Sequence, residues 1–123
     1  MARILIVDDD DLVRDALRLM LGREGHDVTE AANGREAIAL HKNSPFPLII
    51  TDLIMPDMEG IETIVEMRKI TPNSGIVAIS GGARSSPEQL LTLAQKYGAD
   101  ATFSKPIDRK EFMESVSRLL LKA

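Results

Sequence analysis

The residues best able to do chemistry in this chain are acids, and they fall where apolar runs stop. Residues 4–11 read ILIVDDDD, residues 48–52 read LIITD, residues 76–80 read IVAIS and residues 101–106 read ATFSKP. Asp8 and Asp9, Asp52, Ser80 and Lys105 therefore each follow a short apolar run. Three carboxylates gathered in one pocket repel one another unless a counter-charge joins them. A divalent cation supplies that charge. The offered ligands are hard oxygens, with no cysteine in the chain and no histidine among them, so Mg²⁺ suits them better than zinc. Mg²⁺ also accepts phosphate oxygens in its shell. A carboxylate beside it can act as a nucleophile and become an acyl phosphate. The Ser80 hydroxyl could donate to a phosphoryl oxygen and the Lys105 ammonium could pair with another, which is most of what phosphoryl transfer asks of a protein. The plainer alternative for Asp8 and Asp9 is a helix cap with no metal. The matching positions of Asp52, Ser80 and Lys105 argue against it.

The elements that must position these groups alternate along the chain. Arg3–Asp8 reads as a strand buried on both faces. Residues 11–24 have helical spacing, with Val13, Ala16, Leu17 and Met20 on one face and Gly25 ending the turn. Asp27–Ala31 reads as a second, more polar strand, with a turn at Asn33–Gly34 and a helix over 35–43 that has Ala37, Ile38 and His41 near its inner side. Pro47–Asp52 is a buried strand, followed by the loop LIMPDMEG and a helix over 61–70 with Ile61, Ile64 and Val65 inward. Ile76–Ser80 is a fourth strand. Ser86, Pro87 and Gln89 read as the start of a helix whose apolar face is Leu90, Leu93, Ala94 and Tyr97. Ala101–Ser104 is a fifth strand, and Asp108 and Glu111 cap a last helix carrying Phe112, Val116 and Leu119. Of the remaining acids, Asp11 reads as the cap of the first helix and Asp10 as solvent-facing. The histidines, His26 and His41, lack ligand spacing and read as surface residues.

Five strands and five helices in alternation favour an α/β fold, a parallel sheet with helices on both faces. In such sheets chemistry collects at the carboxyl ends of the strands. The 123 residues suit one domain, and 44% apolar with 28% charged residues is an ordinary globular balance. The net charge of −4, without a basic block, argues against direct nucleic-acid binding. The absence of cysteine excludes disulfides. No apolar stretch approaches about 20 residues, so no membrane span is expected, and a cytoplasmic location follows as the expectation.

With VDD at 7–9, TDLIMPDMEG at 51–60, AISGG at 78–82 and SKPI at 104–107, the chain resembles the receiver domains of bacterial two-component response regulators over essentially all of its length. The resemblance implies one receiver domain over 1–123. It implies a flavodoxin-like three-layer sandwich with strand order 2-1-3-4-5. It makes Asp52 the phosphoacceptor. Asp8, Asp9, Asp52 and the backbone carbonyl of Ile54 become the Mg²⁺ ligands. Ser80 and Lys105 become the groups that meet the phosphoryl, the Lys105–Pro106 bond is cis, and Pro56 and Gly60 shape the loop beside the site. Implied partners are a histidine kinase or phosphotransfer protein as donor and a downstream protein target or output domain. The chain would then catalyse its own modification and have no external substrate. One position departs from the pattern. Thr102 stands where the family usually has an aromatic residue, and the neighbouring Phe103 should point to the other side of its strand, into the core.

A phosphatase of the haloacid-dehalogenase type also uses a strand-end aspartate, but it needs a second one two residues later, where this chain has Ile54. A receiver-like binding module without phosphorylation is set against by the complete constellation, and a flavin-binding protein fits the fold class but brings a phosphate that the acid-lined edge would repel unless a metal were present. Whether the chain is a lone receiver or one part of a longer protein is not legible in it.

Overall fold

The computed structural model describes residues 2–53, 60–81 and 87–122. Its elements run β1 (Arg3–Val7), α1 (Asp11–Gly22), β2 (Asp27–Ala31), α2 (Gly34–Asn43), β3 (Leu48–Asp52), α3 (Gly60–Ile70), β4 (Gly75–Ser80), α4 (Pro87–Tyr97), β5 (Ala101–Ser104) and α5 (Arg109–Lys122). The strands form one sheet in the order β2-β1-β3-β4-β5, with every pairing parallel. The α/β class, the five strands and the 2-1-3-4-5 order expected above are all present.

The central strands β3 and β4 are buried along their whole length because both faces are covered. Successive residues therefore enter opposite layers. Leu5, Val7, Ile49, Ile76 and Ala78 pack with Ala37, Ile64, Met67 and Ala94 from α2, α3 and α4. Ile4, Ile6, Ile50, Val77 and Ile79 pack with Leu17 and Leu21 from α1 and with Phe112, Val116 and Leu119 from α5. This is the three-layer sandwich.

Local details depart from the expectations in four places. The cap of α1 is Asp10, whose side chain accepts from Leu12 N at 2.9 Å, whereas Asp11 is the first helical residue and pairs with Arg14. Four identical side chains in a row compete for one cap, and the phase of the first turn decides between them. Ala16 is exposed, and the buried stripe of α1 runs through Leu17 and Leu21. On α4, Ala94 is buried but Leu93 and Tyr97 stay largely exposed. His41 is fully buried rather than on the surface. Its Nδ1 accepts from Phe46 N at 3.0 Å and its Nε2 meets Thr71 Oγ1 at 2.6 Å, which fixes the Nε2–H tautomer. Gly25 does follow α1 with a left-handed φ of 85°, and Asp108 does cap α5, accepting from Glu111 N at 3.1 Å. The expected cap at Ser86 lies outside the described residues, as do Ile54 and Pro56.

Candidate acidic site at the strand ends

Parallel pairing brings the chemically able residues together. Val7 is level with Thr51, Asp52 with Ile79, and Ser80 with Ser104. The residues that end β1, β3, β4 and β5 must therefore crowd one edge of the sheet. The carboxylates of Asp8, Asp9 and Asp52 each place an oxygen within 4.8 Å of the other two. Lys105 Nζ lies 3.4 Å from Asp8 Oδ2 and 3.6 Å from Asp52 Oδ1. Asp8 and Asp52 are buried, Asp9 is exposed, and Ser80 is fully buried.

The backbone around these groups is closely tied. Asp8 N donates to Ala31 O, Leu53 N to Ile79 O and Lys105 N to Ser80 O. Asp10 N donates to Asp8 Oδ1 at 2.9 Å, which leaves Oδ2 facing Lys105. Gly60 begins α3 directly against the end of β3. A Cβ there would come within 2.4 Å of Asp52 O and of Leu53 Cα, so any side chain would push α3 off the strand. The Lys105–Pro106 bond is cis, as the resemblance implied.

Charge and burial oppose each other here. Burial, then the neighbouring Asp8 charge, pushes the Asp52 carboxyl up to about 6, against the pull of Lys105. Burial also raises Asp8, with the Asp10 N–H and the Lys105 ammonium working against it. Burial alone would lower Lys105, but the Asp52 and Asp8 carboxylates outweigh it and hold the ammonium charged. The site is thus short of positive charge. A small hard cation bound by three carboxylate oxygens would relieve it, and the donor set holds no softer atom. Ser80 Oγ adds a second unmet demand, being buried with no hydrogen-bond partner among the described residues. Such a hydroxyl costs about 1–3 kcal/mol until a partner arrives.

Sequence reasoning did not find Arg14. This α1 side chain reaches back to donate to Asp8 O at 2.6 Å, pairs with Asp11, and meets Glu30 Oε1 of β2 at 3.2 Å. It holds the turn that carries Asp8 and Asp9. Its only signal in the sequence was its place three residues after Asp11, which any exposed helical ion pair shares.

The model of the response regulator receiver domain matches residues 4–117. The chain belongs to that family, and it is a receiver domain of two-component signalling. It is 33% identical over 118 residues to the chemotaxis protein CheY of Thermotoga maritima, covering 95% of this chain and 96% of that one. It is 32% identical over 117 residues to the transcriptional regulatory protein SrrA of Staphylococcus aureus, of which the match spans 47%. Among solved structures, the CheY-like receiver domain protein of Methanospirillum hungatei superposes with a TM-score of 0.89 at 32% identity, covering 98% of this chain and 94% of that one. No helix among the described residues is long and apolar enough to cross a membrane.

Proposed function

We propose that residues 1–123 form one receiver domain that works as a phosphorylation-controlled switch, with Asp52 as its phosphoacceptor. The observation that carries this reading is the Asp52 carboxylate itself. It is buried at the end of β3, beside an ammonium 3.6 Å away and two further carboxylates within reach of a shared cation. Asp8, Asp9 and Asp52 would hold Mg²⁺, with the Ile54 carbonyl added by family resemblance. The bound ion supplies the positive charge that lets an anionic phosphoryl group approach three carboxylates.

The chain's own residues do the rest. An Asp52 carboxylate oxygen forms a bond to phosphorus as the bond to the donor's leaving atom breaks, giving an aspartyl phosphate. Lys105 stays charged and pairs with one phosphoryl oxygen in place of its two carboxylates. The Ser80 hydroxyl, unpartnered among the described residues, turns to donate to another. Hydrolysis later returns the carboxylate and releases inorganic phosphate. The donor is a histidine kinase or phosphotransfer protein, the recipient of the signal is a downstream protein or output domain, and the work is done in the cytoplasm. The domain turns over no external substrate.

Intact-mass measurement with acetyl phosphate and Mg²⁺ tests the assignment. The wild type gains one phosphoryl group, EDTA prevents it, and Asp52→Asn abolishes it. Undiminished labelling of the Asn variant would remove Asp52 from this role.

A further inference from the structure

We infer that Gly81 is a positioning residue for Lys105: the missing side chain at position 81 leaves the space through which the lysine stem crosses the end of β4 to reach Asp8 and Asp52. The metal and phosphorylation consequences rest on the functional reading above, while the steric core of the inference does not.

The register sets up the contact. Ser80 is level with Ser104, and Lys105 N donates to Ser80 O at 2.9 Å, so Gly81 and Lys105 leave their strands side by side. A Cβ at position 81 would lie 2.7 Å from Lys105 Cβ, 2.7 Å from Cδ and 3.0 Å from Cγ. Carbon atoms at rest sit about 3.5–4.0 Å apart. The Cδ end of the stem could swing away, but Lys105 Cβ is fixed to a backbone already bonded to β4. Either the end of β5 moves or the stem does, and each takes the ammonium off its two carboxylates. Backbone conformation does not explain this glycine. Among the described residues, the glycines with left-handed φ are Gly25 and Gly98.

Displacing the lysine has two consequences of opposite sign. Its ammonium occupies Asp8 Oδ2 and Asp52 Oδ1, the same carboxylates a cation needs. Moving it away strengthens metal binding. It is also the charged partner of the incoming phosphoryl group, so moving it away slows phosphorylation. A loosened site would lose both.

The experiment uses the full chain with Gly81→Ala, Lys105→Ala, Lys105→Gly and the Gly81→Ala/Lys105→Gly pair. Titration calorimetry with MgCl₂ should show Gly81→Ala binding the metal more tightly than wild type, by roughly threefold to tenfold, in the same direction as Lys105→Ala. Labelling by acetyl phosphate should fall on the order of 10- to 100-fold. In EDTA, the melting loss from Gly81→Ala should shrink in the Lys105→Gly background, where the stem is gone. Should Gly81→Ala alone not fold, the paired variant still folds. Metal affinity unchanged or weakened in Gly81→Ala, an equal melting loss in both backgrounds, or failure of the paired variant to fold each overturns the inference. A wild type that takes no label removes the phosphoacceptor reading and leaves the melting comparison to decide the role of Gly81.

Discussion

Replacing Asp52 by asparagine should stabilise the metal-free protein, although it deletes half of an ion pair with Lys105. The carboxyl rises from an ordinary 3.8 to about 6 on folding. The folded state therefore holds the proton more tightly than the unfolded chain. A raised carboxyl favours folding fully below about pH 4, and that contribution disappears as pH climbs through 6. At pH 7.5 the ionised Asp52 costs the fold about 3 kcal/mol relative to a neutral group, taking 1.36 kcal/mol for each pH unit of the rise. Asparagine keeps the shape and removes the charge. Part of the gain is returned because the amide must also be buried, so a recovery of about 1–3 kcal/mol is expected, or a melting rise of roughly 5–10 °C for a domain of this size. The assay is urea or thermal unfolding in EDTA from pH 4.5 to pH 8. The advantage of Asp52→Asn should be largest at pH 8 and should close toward pH 4.5. Added Mg²⁺ should reverse the order. Ligand linkage adds about 4.1 kcal/mol to the wild type at about a thousand times the dissociation constant, and little to the variant. An asparagine variant no more stable than wild type at pH 8, or equally favoured at every pH, would refute the account of a site starved of positive charge.

Two further outcomes follow from the same structure. His41 is buried, and burial with the nearby Arg3 charge lowers its affinity for a proton; the neutral ring's contribution is therefore present above about pH 6.5 and fades as pH falls below it. His41→Ala should cost roughly 2–4 kcal/mol in urea unfolding at pH 8 by opening a cavity and orphaning the Phe46 N–H, with a smaller penalty at pH 5. Thr102→Ala should retain acetyl-phosphate labelling by intact mass and the amide-exchange change that labelling produces near Ser80; loss of that change with labelling intact would make Thr102 the readout residue.

How much of this could be read in the residues depended on how local the cause was. Strand β5 was readable to its ends at Ala101 and Ser104, because an apolar β-branched and aromatic run stops at Lys–Pro. The crowding of Asp8, Asp9, Asp52, Ser80 and Lys105 was readable too, since the strands of a parallel sheet all direct their carboxyl ends to one edge. His41 was misplaced for the opposite reason. Its burial depends on Thr71, 30 positions away, and Thr71 in turn meets Ser74 Oγ, which donates to Phe46 O. That chain of donors closes on the residue whose N–H the ring accepts; the helical spacing of residues 35–43 puts His41 near the inner side, but nothing there announces these partners. Arg14 was missed, and Gly81 was read only as part of the AISGG run, because the roles argued for them depend on tertiary placement. One reaches back across a turn, and the other matters through an atom it does not have.

The same alternation that builds the sandwich limits how a signal can leave the site. Thr102 is level with Ala78, which packs into the layer of α2, α3 and α4. Phe103 is level with Ile79 and enters the other layer, where its ring meets Phe112 edge-on at 5.6 Å between centroids. To take the place of the aromatic that receivers usually carry at position 102, Phe103 would have to change faces, which means slipping β5 by one residue and breaking its pairing with β4. It is also held by the packing of Phe112, which is fully buried. The aromatic route is therefore closed to this chain at both positions. What remains at the end of β4 is Ser80, whose hydroxyl is buried without a partner among the described residues and which is tied to the acidic site through the Ser80–Lys105 backbone bond. A hydroxyl that is unsatisfied in one state and satisfied in the other adds a free-energy difference between the two states, which is what a switch element requires.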